Sequence, residues 1–256
     1  MAARHRELNV RSMIRTILAV VYLTLGIFLV MPWLILWSLM IGSVDFMYGV
    51  AMKVVRGAVR IAGVRVRVEG VEDLPCGVCI FAANHVSNMD PLAFVPAIPR
   101  RVAILVKKEV FRIPILGSAM RMAKLIPVDR DNREAAARAV EMAVKYLKEG
   151  LSFAVYPEGT RSHDGRLLPF KKGTFVMAIR AGAPVVPVSI VGAQDLLRKG
   201  EWSVRPGEVI IRFGPAVDVS TYTLEQRADL LARVEELVAA GLPEDQKPVK
   251  AHNSDY

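Results

Sequence analysis

At 256 residues the chain has room for one large domain and an appendage, not for two full domains. Hydrophobic residues make up 53%, too few for a multi-span transporter and more than an ordinary soluble protein carries. The formal charge of +9 suits an anionic membrane face or phosphorylated substrates; nucleic acid is not an expected partner, because the cations are scattered, with no helix-turn-helix, zinc finger or stacking platform.

The apolar excess is concentrated near the N-terminus, where Thr16 to Val44 is 29 residues without a charge. A straight helix of that length would run ~43 Å, against ~30 Å of bilayer hydrocarbon. Pro32 removes a helix hydrogen bond near its middle, and Gly26 and Gly42 are further soft points. Arg4, Arg6, Arg11 and Arg15 precede the segment, and Lys53, Arg56, Arg60, Arg65 and Arg67 follow it. A single span should show basic asymmetry. Basic flanks on both sides favour a re-entrant or in-plane helical pair, broken near Pro32, with both ends at the cytoplasmic face of the cell membrane. A single tilted span is the alternative. No small-residue cleavage site follows a short apolar core, so a cleaved signal peptide is not expected.

Beyond this anchor the pattern is that of an α/β domain. Val64, Val66 and Val68 alternate with Arg65, Arg67 and Glu69, as in a half-exposed strand. Apolar runs at 78–83, 102–106, 152–156, 185–191 and 209–213 suit strands buried on both faces. Between them, Asp131 or Asn132 can cap a helix carrying Val140, Ala143, Val144 and Leu147, ended by Gly150. Thr223 with Gln226 forms a capping box for a last helix bearing Leu224, Leu231, Val234 and Val238. The predicted fold is α/β, a mixed and largely parallel sheet flanked by helices, with an N-terminal apolar helical membrane anchor. The expected division is a membrane-associated segment over 1–60, a catalytic domain over 61–242 and a polar, frayed tail over 243–256. Cys76 and Cys79 form a lone CxxC with no second ligand pair, and are expected to be buried or incidental thiols.

The chemistry-bearing residues fall at the ends of these runs. His85 follows the run 78–83, so it is placed at the carboxyl end of a buried strand. Asp90 precedes Pro91, the pairing expected of an Asp that caps a helix. A turn between them can fold the carboxylate onto the imidazole, giving a general base able to take a proton from a hydroxyl. Alone, His-x4-Asp is a weak signal. Further along, Lys124–Arg130 brings an arginine to the end of an apolar stretch. Tyr156-Pro157-Glu158-Gly159-Thr160-Arg161-Ser162 follows another strand with a carboxylate, a flexible glycine and a guanidinium able to pair with phosphate oxygens. Val186-Pro187-Val188 reads most simply as core. No cluster of His, Asp and Glu suggests a metal.

Taken in order, Asn84–Asp90, Ile126–Arg130, Glu158–Ser162 and Val186–Pro187 resemble the motif set of the glycerolipid acyltransferase family that includes the 1-acylglycerol-3-phosphate acyltransferases. The stretches Lys107–Gly117 and Pro169–Thr174 are also similar, and Pro127 departs from the aromatic or aliphatic residue usual there. The resemblance implies transfer of an acyl group from acyl-CoA or acyl carrier protein to the sn-2 hydroxyl of lysophosphatidic acid, with no other cofactor and with membrane lipids as surroundings. It implies His85 as base and Asp90 as its partner. Arg130 and Arg161, with Lys107 or Lys108, would meet the phosphate, with Glu158 on the glycerol side and Gly159 and Thr160 also binding substrate. The oxyanion would take backbone N–H groups near His85 or Gly159. Three rival readings differ in class or substrate. A serine hydrolase lacks its G-x-S-x-G elbow and would have to use Ser87. A non-catalytic lipid-binding protein leaves the His/Asp pair unexplained, and an acyltransferase for glycerol 3-phosphate or another lysophospholipid shares the motifs.

Overall fold

A computed structural model of the chain describes residues 2–129, 132–198 and 200–248. Its N-terminus is a helix in two parts, α1 (Ala2–Leu25) and α2 (Met31–Ile41), joined by a π-helical turn at Gly26–Val30. Pro32 was expected to break this segment, but it only widens it. The proline ring and its missing N–H disturb the regular ladder, and Met31 N–H bonds instead to Gly26 O, five residues back. The break comes at Gly42, whose left-handed φ of 72° ends α2 with an N–H bond to Ser38 O at 2.9 Å. From there α3 (Asp45–Ile61) runs back along α1. Its Gly57 lies so close to Tyr22 that a methyl group there would meet the ring hydroxyl at 2.7 Å.

One stripe of the long helix, Ser12, Thr16, Ala19, Met31, Leu34 and Ser38, is buried. The rest presents large apolar side chains to the exterior, among them Leu29, Trp33, Leu36, Trp37, Leu39 and Met40. Thr16 ties the base of the hairpin to the domain, its hydroxyl accepting Val204 N–H at 2.9 Å.

The domain is built on strands β1 (Val64–Glu69), β2 (Ile80–Ala83), β3 (Val102–Lys107), β4 (Ile126–Val128), β5 (Ser152–Val155), β6 (Val185–Val191) and β7 (Gly207–Phe213). Their order is β1-β7-β6-β2-β5-β3-β4, and the one antiparallel pairing among neighbours is β6 with β7. The sheet is therefore mixed and largely parallel, with β2 and β5 wholly buried as their unbroken apolar runs require.

Alternate residues of β2 serve the two faces. Phe81 and Ala83 pack with α3 and with α4 (Asp90–Ala97), through Ala58, Val59, Ala93 and Phe94. Ile80 and Ala82 pack with α6 (Arg133–Lys148), α7 (Gly173–Ala181) and α9 (Arg227–Ala240). Each fully buried large side chain, such as Phe81 or Phe153, stabilises by about 1.5–3 kcal/mol. Shorter helices, α5 (Leu116–Met122) and α8 (Ala193–Leu196), sit at the ends of the sheet connections.

Several local expectations need correction. Asn132 is the cap of α6, its side chain accepting Ala135 N–H, while Asp131 lies outside the described residues. The bond from Thr223 N–H to Gln226 Oε1 expected of the capping box is present at 3.0 Å, but the regular helix begins only at Arg227, after that turn. Its buried stripe is Leu230, Val234 and Val238, and Leu224 is exposed outside the helix. The segment 243–247 does not fray: Gln246 is buried and its carbonyl accepts Leu167 N–H at 2.8 Å. The further tail, 249–256, lies outside the described residues. Cys79 is buried as expected, but Cys76 is exposed. On edge strand β1 only Val64 is buried; Val66 and Val68 are each 36% exposed, beside α3 and α4.

Candidate active site

β2, β5, β3 and β4 are parallel neighbours, so the loops that leave their carboxyl ends emerge along one edge of the sheet. In that spatial order they carry His85, the Tyr156–Ser162 turn, Lys107 with Lys108, and Asp129. With strands ~4.8 Å apart, Lys107 starts ~10 Å from the His85 strand.

Asn84 fixes the exit from β2. Its amide donates to Ile190 O at 3.0 Å and accepts Ile190 N–H at 2.7 Å, so the side chain continues the pairing with β6 after the strand stops. The next residue is thereby directed out of the sheet edge. His85 Nδ1–H donates to Asp90 Oδ2 at 2.7 Å, and the same oxygen accepts the N–H of Val86 (2.7 Å) and of Ser87 (2.8 Å). Asp90 is not the helix cap that its place before Pro91 suggests. It is the first residue of α4, after Met89, and its carboxylate turns back into the preceding loop. An acceptor at Nδ1 places the imidazole proton there and leaves Nε2 with its lone pair. Among the described residues Nε2 has no partner.

The Tyr156–Ser162 turn closes over this pair. The phenol ring of Tyr156 stacks on the His85 imidazole, with centroids 4.1 Å apart and planes 19° from parallel. Burial, together with the nearby Asp90 carboxylate, holds the Tyr156 hydroxyl well above its usual pKa. That hydroxyl and Asp90 Oδ1 are buried and have no hydrogen-bond partner among the described residues.

Ser162 N–H donates to His85 O at 2.8 Å. Glu158, 2% exposed, accepts His85 N–H on Oε1 at 2.6 Å and Leu168 N–H on Oε2 at 3.3 Å. Expected to face the glycerol, it instead staples two backbone segments. Burial raises its pKa to about 8; the two N–H donors oppose the rise, and Asp90 and Glu235 add to it. An uncharged Glu158 can lie beside Asp90 without placing two buried negative charges together. Gly159 follows with φ of 72°, a left-handed conformation that favours glycine, and the flexible Lys171 chain lies over it, with Nζ 2.8 Å from where a methyl group would sit.

Arg161 is half-buried and makes no hydrogen bond or ion pair among the described residues, and Thr160 is exposed beside it. Lys107 and Lys108 are exposed, Lys107 reaching Glu109 at 3.7 Å and Lys108 bonded to Asp129 at 2.5 Å. Arg130 lies outside the described residues. Val186, Pro187 and Val188 are buried in β6 beneath the site.

One expectation about the chemistry, and one rival reading, fail on hydrogen-bond accounting. The N–H groups of His85, Val86 and Ser87 are held by carboxylates and that of Gly159 by Tyr156 O at 3.0 Å, so none is free to hold an oxyanion. Ser87 is no nucleophile here: its hydroxyl donates to Leu197 O at 2.8 Å and accepts Met89 N–H at 3.1 Å. Sequence reasoning missed Tyr156 as a partner of His85, although it stands one residue before the Pro-Glu-Gly turn, and missed Lys171, whose place over Gly159 depends on a fold between distant segments.

Comparison with known proteins bears on the family and the fold. The family described as Acyltransferase matches residues 65–191. A 1-acyl-sn-glycerol-3-phosphate acyltransferase of Limnanthes douglasii is 33% identical over 227 residues, covering 88% of this chain and 79% of its own length. One from Borreliella burgdorferi is 30% identical over 183 residues, covering 71% and 73%. The crystal structure of the 1-acyl-sn-glycerophosphate acyltransferase PlsC from Thermotoga maritima superposes with a TM-score of 0.76 at 30% identity, covering 91% of this chain and 96% of that one.

Proposed function

The chain belongs to the acyltransferase family, and from that premise we propose that it transfers a fatty acyl group from acyl-CoA or acyl carrier protein to the sn-2 hydroxyl of 1-acyl-glycerol 3-phosphate, giving phosphatidic acid. The activities for which its relatives are named support the acceptor. The observation that carries the mechanism is the bond from His85 Nδ1 to Asp90 Oδ2, which leaves Nε2 as the basic nitrogen.

His85 Nε2 takes the proton of the sn-2 hydroxyl as its oxygen attacks the thioester carbonyl. Asp90 stabilises the resulting imidazolium, and the Tyr156 ring face adds a cation–π contact. This attack forms the ester C–O bond; collapse of the tetrahedral intermediate then restores the carbonyl and breaks the C–S bond, and the departing thiolate takes the proton from His85. Arg161, Arg130 and Thr160 meet the acceptor phosphate, assisted by Lys107 or Lys108. Glu158 and Gly159 shape the turn that presents them. No step calls for a metal or further cofactor.

The apolar face of α1–α2 supports an anchor in the cell membrane, with α3 returning so that both ends of the hairpin lie at the cytoplasmic face. We retain residues 1–60 as the membrane-associated segment, 61–242 as the acyltransferase domain and 243–256 as a C-terminal segment.

Purified protein with labelled acyl-CoA, offered lysophosphatidic acid, glycerol 3-phosphate and a zwitterionic lysolipid, tests the acceptor. Preferred labelling of phosphatidic acid is expected. Equal or faster labelling of glycerol 3-phosphate would assign a different acceptor.

A further inference from the structure

Away from His85, a groove of about 610 Å³ runs along the free edge of β1 between α3 and α4. Its apolar lining includes Val66 and Val68 from the strand and Leu92, Pro96 and Ala97 from α4. Four arginines also line it, Arg56 and Arg60 from α3 and Arg65 and Arg67 from β1. Glu208 is the single acid among the lining residues. Arg67 reaches Glu69 at 3.0 Å, whereas Arg56, Arg60 and Arg65 make no ion pair among the described residues.

An apolar floor with a cationic rim is the complement of an amphiphile with an anionic head. Arginine also suits a phosphate, which it can hold in a two-pronged fork. The same residues disfavour a strand from a second copy of the chain. Antiparallel addition to β1 about a two-fold axis at Val66 would set Arg65 of each copy against Arg67 of the other, the kind of charge that keeps exposed sheet edges single. The groove also adjoins the anchor, because α3 is the return helix of the hairpin whose outer face carries Trp33 and Trp37.

We propose that this groove holds one anionic phospholipid, its phosphate among Arg56, Arg60, Arg65 and Arg67 and an acyl chain along Val66, Val68, Leu92 and Pro96. The proposal rests on the membrane-associated reading of the chain and is independent of acyl transfer at His85.

Native mass spectrometry of the full chain in detergent, titrated with dioleoyl phosphatidylglycerol or dioleoyl phosphatidylcholine, tests it. Both lipids are acylated at sn-1 and sn-2, so neither offers the sn-2 hydroxyl of a lysolipid, and with no acyl donor present the titration reads binding alone. The expected result is one phosphatidylglycerol bound at least tenfold more tightly than phosphatidylcholine. Replacing all four arginines by Gln should abolish that preference, and replacing them by Lys should keep most of it. If the fourfold Gln variant does not fold, R65Q/R67Q, on the exposed strand, is read in the same way. Acyl transfer in detergent should be unchanged in these variants, and a wild type without transfer would overturn the catalytic reading alone. An equal affinity of the wild type for the two lipids, or an undiminished preference in the Gln variants, would overturn the lipid site. So would displacement of the lipid by millimolar inorganic phosphate, or a wild-type dimer that the Gln substitutions dissolve.

Discussion

Three acceptor bonds on one oxygen define the His85 environment: Asp90 Oδ2 takes the imidazole N–H and two backbone N–H groups, which fixes the ring's orientation and tautomer together. Beside it, Glu158 gains its proton affinity from burial, and this has a consequence for stability. Its pKa is raised on folding, from about 4.5 to about 8, so between those values the folded chain holds a proton that the unfolded chain releases. Stability should therefore fall as pH rises through that window, by up to about 1.4 kcal/mol per pH unit. Chemical denaturation of wild type and Glu158→Gln across pH 5–9 is the check; Glu158→Gln should flatten the slope, and an equally steep slope would remove Glu158 as its source. Arg161, half-buried and unpaired among the described residues, is assigned to the substrate phosphate. Arg161→Ala should raise the KM for lysophosphatidic acid about tenfold or more, as expected for a lost charge-assisted bond worth ~1.5–3 kcal/mol, with a smaller change in kcat. An unchanged KM would take Arg161 out of the phosphate site.

At the scale of elements, the long N-terminal helix divides into a stripe that packs and a face that does not. Ser12, Thr16 and Ala19 seat its base, so deleting 1–44 would also strip buried contacts from the domain. A cleaner perturbation leaves that stripe alone. Leu29→Ser, Trp33→Ser and Trp37→Ser together should move the protein from the membrane pellet to the supernatant in flotation, with the thermal midpoint of the domain little changed. Retention in the pellet would mean that the basic surface is sufficient for attachment. The 29 uncharged residues marked the long apolar helix, but the helical pair expected within 16–44 is not there: the helix runs on to Ile41, and the return arm is α3, whose Lys53, Arg56 and Arg60 read as a flank. Pro32 is the obvious breaker by rule, yet a π-helical turn absorbs it, while Gly42 ends the helix because it alone supplies the left-handed cap.

Across the whole molecule, unbroken apolar runs such as 152–156 revealed the buried strands, and the motif residues at their ends pointed to the sheet edge where the proposed chemistry is placed. The strand order lies in pairings between distant segments, as when β2 joins β5 and β6. Periodicity was least informative at β1, where the valine alternation suggested one buried face and the structure has a groove. Within the site, the His85–Asp90 pairing was legible from spacing and the flanking strand. Tyr156 stacking on His85 and the bond from His85 N–H to Glu158 were not, because both depend on how the 84–90 and 156–162 loops meet; the N–H groups of Val86, Ser87 and Gly159 are taken up within those loops, in turn geometry that spacing alone does not give. The central claim is that His85 is the base for acyl transfer. Initial rates of His85→Ala with labelled acyl-CoA and lysophosphatidic acid, on protein shown to bind membranes like wild type, test it most directly. The account predicts loss of at least a thousandfold in kcat, and activity within tenfold of wild type would contradict it.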